Sequence, residues 1–297
     1  MTCTARTDDG VQLHVEVDDG PSPTVVMVHG FTARLGEFDL QRQSLAGQAR
    51  VVAYDQRGHG ASRRGRVRRA TVEQLGRDLG SVLDQVVPTG PVVLLGHSMG
   101  GMTVMALARQ RPELFGPRVV GAFLLATSSG GVADAGPLGA VLRVLRRLHL
   151  LVPLLLFFRL WAGPLERVRR RGTRAGRAYT RRQLFGTDDA DPAAVDMVQA
   201  MLEETPLTVT AAFYRSLLDH DEHASLAALA AVPVTLLVGD SDRLTPVSHS
   251  RRMAEALPHA ELVVVPGAGH SVNLTRPHVV NAALLRLVRR AARSSAA

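Results

Sequence analysis

Residues 96–100 read Gly-His-Ser-Met-Gly, a serine between two glycines. An apolar run, 91–95, precedes it, and a segment rich in Ala, Met and Leu follows. A strand that turns at once into a helix holds such a serine on a strained backbone with its Oγ exposed. Gly96 and Gly100 leave room for the turn, because side chains there would meet neighbouring backbone. The helix start favours negative charge and so suits an oxyanion. A bare five-residue match of this kind is common by chance. Its weight comes from the strand before, the helix after and the partners downstream.

A serine hydroxyl is a weak nucleophile until a base takes its proton, and the usual base is a histidine held by a carboxylate. Eleven histidines compete. His270 ends Pro-Gly-Ala-Gly-His, directly after the apolar run 261–265, where glycines allow an irregular loop. Loops at strand C-termini are where open α/β sheets bind ligands. His270 also gives the chain order Ser, Asp, His. His97 more simply packs or orients the serine turn, His29 supports the loop after its own strand, and His59 fixes the turn 55–62. The other histidines read as surface or helix residues.

The carboxylate is expected just after the apolar run 233–238, in Gly239-Asp240-Ser241-Asp242-Arg243-Leu244-Thr245-Pro246. Asp242 is favoured. Asp240 follows the glycine at once and reads as a turn cap bonded to its own backbone. Asp55, after an earlier strand, is a third and weaker choice. Acyl transfer also needs two backbone N–H donors for the developing oxyanion. One is expected from Met99, after the serine. The other is expected from the loop His29-Gly30-Phe31-Thr32, with Phe31 as donor and Gly30 letting the backbone approach. Alone, that loop would be an ordinary glycine turn.

The elements that must position these residues are legible as apolar runs. Residues 11–17 alternate, and 24–28, 50–54, 91–95, 119–126, 233–238 and 261–265 read as strands. Helical spacing runs over 71–87, with Thr71 as N-cap, over 99–111, and over 277–292. Strands alternating with helices predict an α/β fold: a mostly parallel central sheet with helices on both faces. From about 128 to 229 the strand signal stops and the composition turns helical. The simplest division is a core of 1–128 and 230–297 with an inserted α-helical cap, 129–229.

With His29-Gly30-Phe31, Asp55 through Ser62, Gly96 through Gly101, Gly239 through Pro246 and Gly267 through His270 in hand, the chain resembles the α/β-hydrolase superfamily. Within it, the chain resembles the bacterial serine esterase and lipase-like branch with a helical cap. The resemblance implies Ser98, Asp242 and His270 as a catalytic triad, with the carboxylate of the Gly-x-x-Asp stretch falling on Asp242. It implies a structural role for the stretch Asp55–Ser62. It implies hydrolysis of a carboxylic ester or related acyl bond of a small-to-medium apolar substrate. Lactone opening, C–C bond hydrolysis and peracid formation use the same residues. A ligand receptor that keeps the fold without turnover is a further alternative. Epoxide hydrolases and haloalkane dehalogenases of this fold carry Asp at the nucleophile, so Ser98 argues against both.

Composition bounds the rest. The 297 residues are 46% hydrophobic and 21% charged, enough for a packed core. Aromatics are only 4%, so an apolar pocket must be built mainly from Leu, Val, Ala and Met. The one cysteine, Cys3, excludes an intrachain disulfide, zinc-ligand spacings are absent, and the chemistry as read needs no metal or cofactor. The first residues lack an apolar leader, which makes the cytoplasm the default location. All 35 basic residues are Arg and the net charge is +8. Arg without any Lys, beside abundant Ala, Gly and Val, reads as GC-rich coding bias. Five arginines in 63–69 and eight in 166–182 carry Tyr179 as their only interleaved aromatic, which excludes nucleic acid in favour of solvated surface. Residues 138–161 mix apolar residues with Arg. They suit a packed amphipathic helix better than one on lipid, although membrane contact through the cap is the other reading. Oligomeric state leaves no mark on the sequence.

Overall fold

The structure, a computed structural model, describes residues 1–132, 174–186 and 190–295, with scattered positions between 144 and 166. Among the described residues there are eight strands: β1 (Thr2–Arg6), β2 (Gln12–Asp18), β3 (Thr24–Val28), β4 (Arg50–Tyr54), β5 (Val92–His97), β6 (Val119–Leu125), β7 (Val234–Gly239) and β8 (Glu261–Val265). They form one sheet in the order β1-β2-β4-β3-β5-β6-β7-β8. β2 pairs antiparallel with both β1 and β4, and every other pairing is parallel.

Successive strand residues face opposite sides, so a strand covered on both faces needs apolar residues throughout. β3 obeys this. Val26 and Val28 enter one core with Leu79, Val82 and Leu107, while Val25 and Met27 enter the other with Phe38, Leu284 and Leu287. The first core is covered by α2 (Val72–Val86) and α3 (Met99–Gln110). The second is covered by α1 (Asp39–Leu45) and the last helix, Pro277–Ser295. The Thr71 hydroxyl caps α2 by accepting the Gln74 N–H at 3.1 Å, as expected for an N-cap. β1 carried no strand expectation; it pairs along the edge with β2, burying Ala5 of its own residues.

One buried charge fastens this edge. The Arg57 guanidinium is fully buried, donates to both Asp78 oxygens at 2.5 and 2.6 Å, and reaches Asp9 at 2.9 and 3.0 Å. It thereby ties the β1–β2 turn to α2. The arginines at 63–68 are by contrast exposed.

Between β6 and β7 the described residues form helices and no named strand: Arg174–Thr180 running into a single π-turn, Arg181–Phe185, then Pro192–Glu204, Leu207–Leu218 and Leu226–Leu229. Asp191 caps the second of these by accepting the Ala193 N–H at 2.9 Å, with Pro192 at the first helical position. The expected amphipathic stretch 138–161 lies largely outside the described residues. No helix among the described residues is long and apolar enough to cross a membrane.

Register explains why distant stretches meet. Val28 is level with Gly96, His97 with Leu125, and Gly239 with Val265. The loops that follow β3, β5, β7 and β8 therefore leave the same edge of the sheet.

Candidate active site

Ser98 sits between the end of β5 and the start of α3 at φ 53°, ψ −117°. A non-glycine residue there stores roughly 1–3 kcal/mol of backbone strain. The turn is held on both sides: the Ser98 N–H donates to the Leu125 carbonyl at 2.9 Å, and the Thr127 hydroxyl donates to the Ser98 carbonyl at 2.6 Å. Gly100 packs on the end of β3, where an added Cβ would overlap the Val28 carbonyl. Met99 opens α3, so its N–H has no acceptor within the helix.

Asp242 and His270 meet from separate loops. The His270 Nδ1 lies 2.8 Å from Asp242 Oδ2, with both side chains buried. The other Asp242 oxygen accepts the N–H groups of Leu244 and Thr245 at 2.8 and 2.9 Å, and the Thr245 hydroxyl donates to Oδ2 at 2.8 Å. Burial pushes this carboxyl upward, but the charge and hydrogen bond of His270 and the Thr245 donors outweigh it. The net result lies below the usual 3.8. The base loop is also clamped from the helical segment: Gly269 N–H donates to Phe185 O at 3.2 Å and Ser271 N–H to Leu184 O at 2.8 Å. Asp240 binds the Gly267 N–H at 2.8 Å rather than capping its own turn, and it braces the same loop. Asp55 accepts the N–H groups of Leu35 and Ala61, both at 2.8 Å, and stands in the turn rather than at His270.

The loop after β3 lies against the serine. A Cβ on Gly30 would sit 3.0 Å from His97 Nδ1 and 3.4 Å from Ser98 Cβ, so only glycine gives this approach without displacement. His29 supports the loop from below. Its Nε2 accepts the Gln56 N–H at 2.8 Å, which leaves Nδ1 as the donor to Gly30 O at 2.8 Å. Thr32 adopts φ 57°, a second strained non-glycine residue beside Phe31. His59 holds the Arg57 carbonyl at 3.1 Å, and burial lowers its pKa to about 3.

Ser98, His270, Phe31, Met99 and Gly30 all line one cavity of about 500 Å³. Its far wall, from the helical segment, includes Leu184, Val198, Met201 and Leu217. Reasoning from sequence passed over Glu37, Thr245 and Asn273. Thr245 had a signal, being three residues beyond the favoured carboxylate. Glu37 had none, because it reaches the site from a short 3-10 turn, Leu35–Phe38, outside every recognisable stretch.

An open α/β sheet with a strained serine after its central strand, and a buried His–Asp pair at the same edge, defines a hydrolase architecture. Residues 25–283 match the model of the alpha/beta hydrolase family, and the chain belongs to that family. It is 28% identical to a putative carbamate hydrolase, RutD, of Caulobacter sp. (strain K31), over 95% of this chain and 97% of the relative. It is 27% identical to the dihydrolipoyllysine-residue acetyltransferase component of the acetoin cleaving system of Pseudomonas putida. That match takes in 92% of this chain and 65% of the longer relative, so the chain spans about two thirds of that protein's length. Among solved structures, a thermophilic esterase from Thermogutta terrifontis superposes with a TM-score of 0.75 at 26% identity, covering 98% of this chain and 99% of the esterase.

Proposed function

We propose that the protein is a serine hydrolase that cleaves a carboxylic ester of a small-to-medium apolar substrate. The observation that carries this reading is the buried His270–Asp242 pair opening on the same apolar cavity as the strained Ser98. Ser98 Oγ attacks the ester carbonyl carbon while His270 Nε2 takes its proton. The N–H groups of Met99 and Phe31 hold the resulting oxyanion. The C–O bond then breaks, and His270 returns the proton to the departing alcohol. Water, deprotonated by His270, attacks the acyl carbon, and His270 returns that proton to Ser98 Oγ as the acid departs. Asp242 stays ionised throughout, holding the ring in the Nδ1–H form and stabilising the imidazolium.

The segment 129–229 acts in this reading as a cap, supplying the apolar wall that receives the acyl chain. The chemistry requires no cofactor or metal. A panel of p-nitrophenyl esters of rising chain length, with lactones and C–C substrates alongside, tests the proposal. Short and medium esters are expected to give the highest kcat/KM, abolished in Ser98→Ala. Turnover confined to another substrate class, or surviving in Ser98→Ala, would sink it.

A further inference from the structure

Behind the serine lies a second buried pair that the proposed reaction does not use. The His97 Nδ1 lies 3.2 and 3.3 Å from the two Glu37 carboxylate oxygens, and its Nε2 lies 3.1 Å from the His270 carbonyl oxygen. Both side chains are buried. A carboxylate and a carbonyl only accept hydrogen bonds, and a neutral imidazole carries a single N–H. In the neutral form one ring nitrogen would turn its lone pair on an acceptor. An imidazolium satisfies both contacts at once. The titratable groups that face the ring are Glu37 from the 3-10 turn and, across the site, His270 with Asp242 behind it; the rings of His97 and His270 are 5.0 Å apart. Burial alone would drive the ring neutral, but the Glu37 charge and hydrogen bond and the His270 carbonyl reverse that and raise its pKa.

We infer that Glu37 and His97 form a buried ion pair, with the His97 ring doubly protonated at neutral pH, and that this pair positions the three parts of the site together. Each partner reaches a different part. Glu37 Oε1 accepts the Gly30 N–H at 2.8 Å, fixing the loop that carries Phe31. His97 adjoins Ser98 in the chain. Its Nε2–H holds the backbone of His270 itself. Asn273 completes the tie, donating to the Glu37 carbonyl at 2.9 Å. Neither side chain takes a chemical step; both act through their neighbours as positioning residues. The positioning claim rests on the ester hydrolase reading, whereas the ionisation of His97 does not.

Long-range ¹H–¹⁵N spectra of the full chain at pH 7 test the ionisation, with the His97 signals assigned by their loss in His97→Gln. Two protonated ring nitrogens are expected at His97. In Glu37→Gln the amide oxygen can still receive the Gly30 N–H while the NH₂ faces Nδ1, so the ring should become the neutral Nε2–H form. That variant should lose about tenfold in kcat with KM within about threefold, because misplacement without loss of contacts slows the chemical step more than binding. Wild-type kcat is expected to fall as pH rises through the raised His97 pKa, and this fall should be absent in the variant. Glu37→Leu, which leaves the buried Gly30 N–H unpaired, should lose about a hundredfold. A neutral His97 ring in the wild type at pH 7 overturns the ion pair. Wild-type kcat in a folded Glu37→Gln overturns the positioning role, whether or not Glu37→Leu folds. A doubly protonated ring in a protein that hydrolyses no ester would sink the ester reading and the positioning role built on it, while the ion pair stood.

Discussion

Asp242→Asn is expected to abolish turnover while sparing the fold. Asp242 Oδ1 accepts the Leu244 and Thr245 N–H groups, and an asparagine oxygen can keep both. Oδ2 accepts from the Thr245 hydroxyl and from His270 Nδ1, each at 2.8 Å. An NH₂ group in that place becomes a donor. The Thr245 hydroxyl can rotate to accept, but His270 Nδ1 must give up its proton to do so. The proton then sits on Nε2, the nitrogen that should receive the Ser98 proton, and the ring no longer serves as a base. A wrong tautomer of this kind costs about 10⁴ in kcat, or about 5 kcal/mol of transition-state stabilisation. The assay is kcat on a short p-nitrophenyl ester at pH 7, beside a thermal melt. Asp240→Asn provides the contrast, since Asp240 braces Gly267 and does not touch the ring. An Asp242→Asn enzyme within tenfold of wild type, or a larger loss in Asp240→Asn, would refute the reasoning.

Gly100→Ala should destabilise the protein by about 1–3 kcal/mol or more, read by urea melts, because its Cβ would overlap the Val28 carbonyl in the parallel ladder. Arg57→Met should cost about 3–5 kcal/mol in the same measurement, since it strands Asp78 as an unpaired buried carboxylate. The hydrogen bond from Arg57 holds the Asp9 pKa at about 2. Its contribution to stability is therefore fully present above the unfolded value of about 3.9 and is lost as pH falls toward 2. Asp242, also depressed, acts in the same direction. Stability followed by denaturant at stepped pH should decline in that acid window, and less steeply in Arg57→Met. Met201→Trp should fill the far wall of the cavity and move the preferred ester to shorter acyl chains, seen as a selective fall in kcat/KM for the longer ones.

Strands covered on both faces were the most legible part of the fold. Residues 24–28 and 50–54 coincide with β3 and β4, because a strand buried on two sides must be apolar throughout, and 261–265 coincides with β8, an edge strand that buries only Val265 but keeps a β-branched run. β1 was not legible. Thr2–Arg6 buries only Ala5 among its five residues, so the edge strand carries no apolar pattern. The candidate site divides the same way. Ser98 and His270 stand in stretches whose glycines are dictated by close backbone approach, and Asp242 follows a buried strand by a short turn. Glu37 and Asn273 are placed by tertiary packing alone. Their partners lie 60 and 236 residues away in the chain, and local spacing holds no record of such a contact. Arg57 was legible as a residue and not as a buried one, since isolated arginines default to the surface.

In the proposed mechanism His270 activates the Ser98 hydroxyl as a nucleophile. Incubating the intact protein with a fluorophosphonate and mapping the adduct by mass spectrometry measures this directly. A single adduct on Ser98, absent in Ser98→Ala and formed far more slowly in His270→Ala, is the expected result. A folded protein that hydrolyses short esters while Ser98 stays unmodified, or that carries the adduct on another residue, would contradict it.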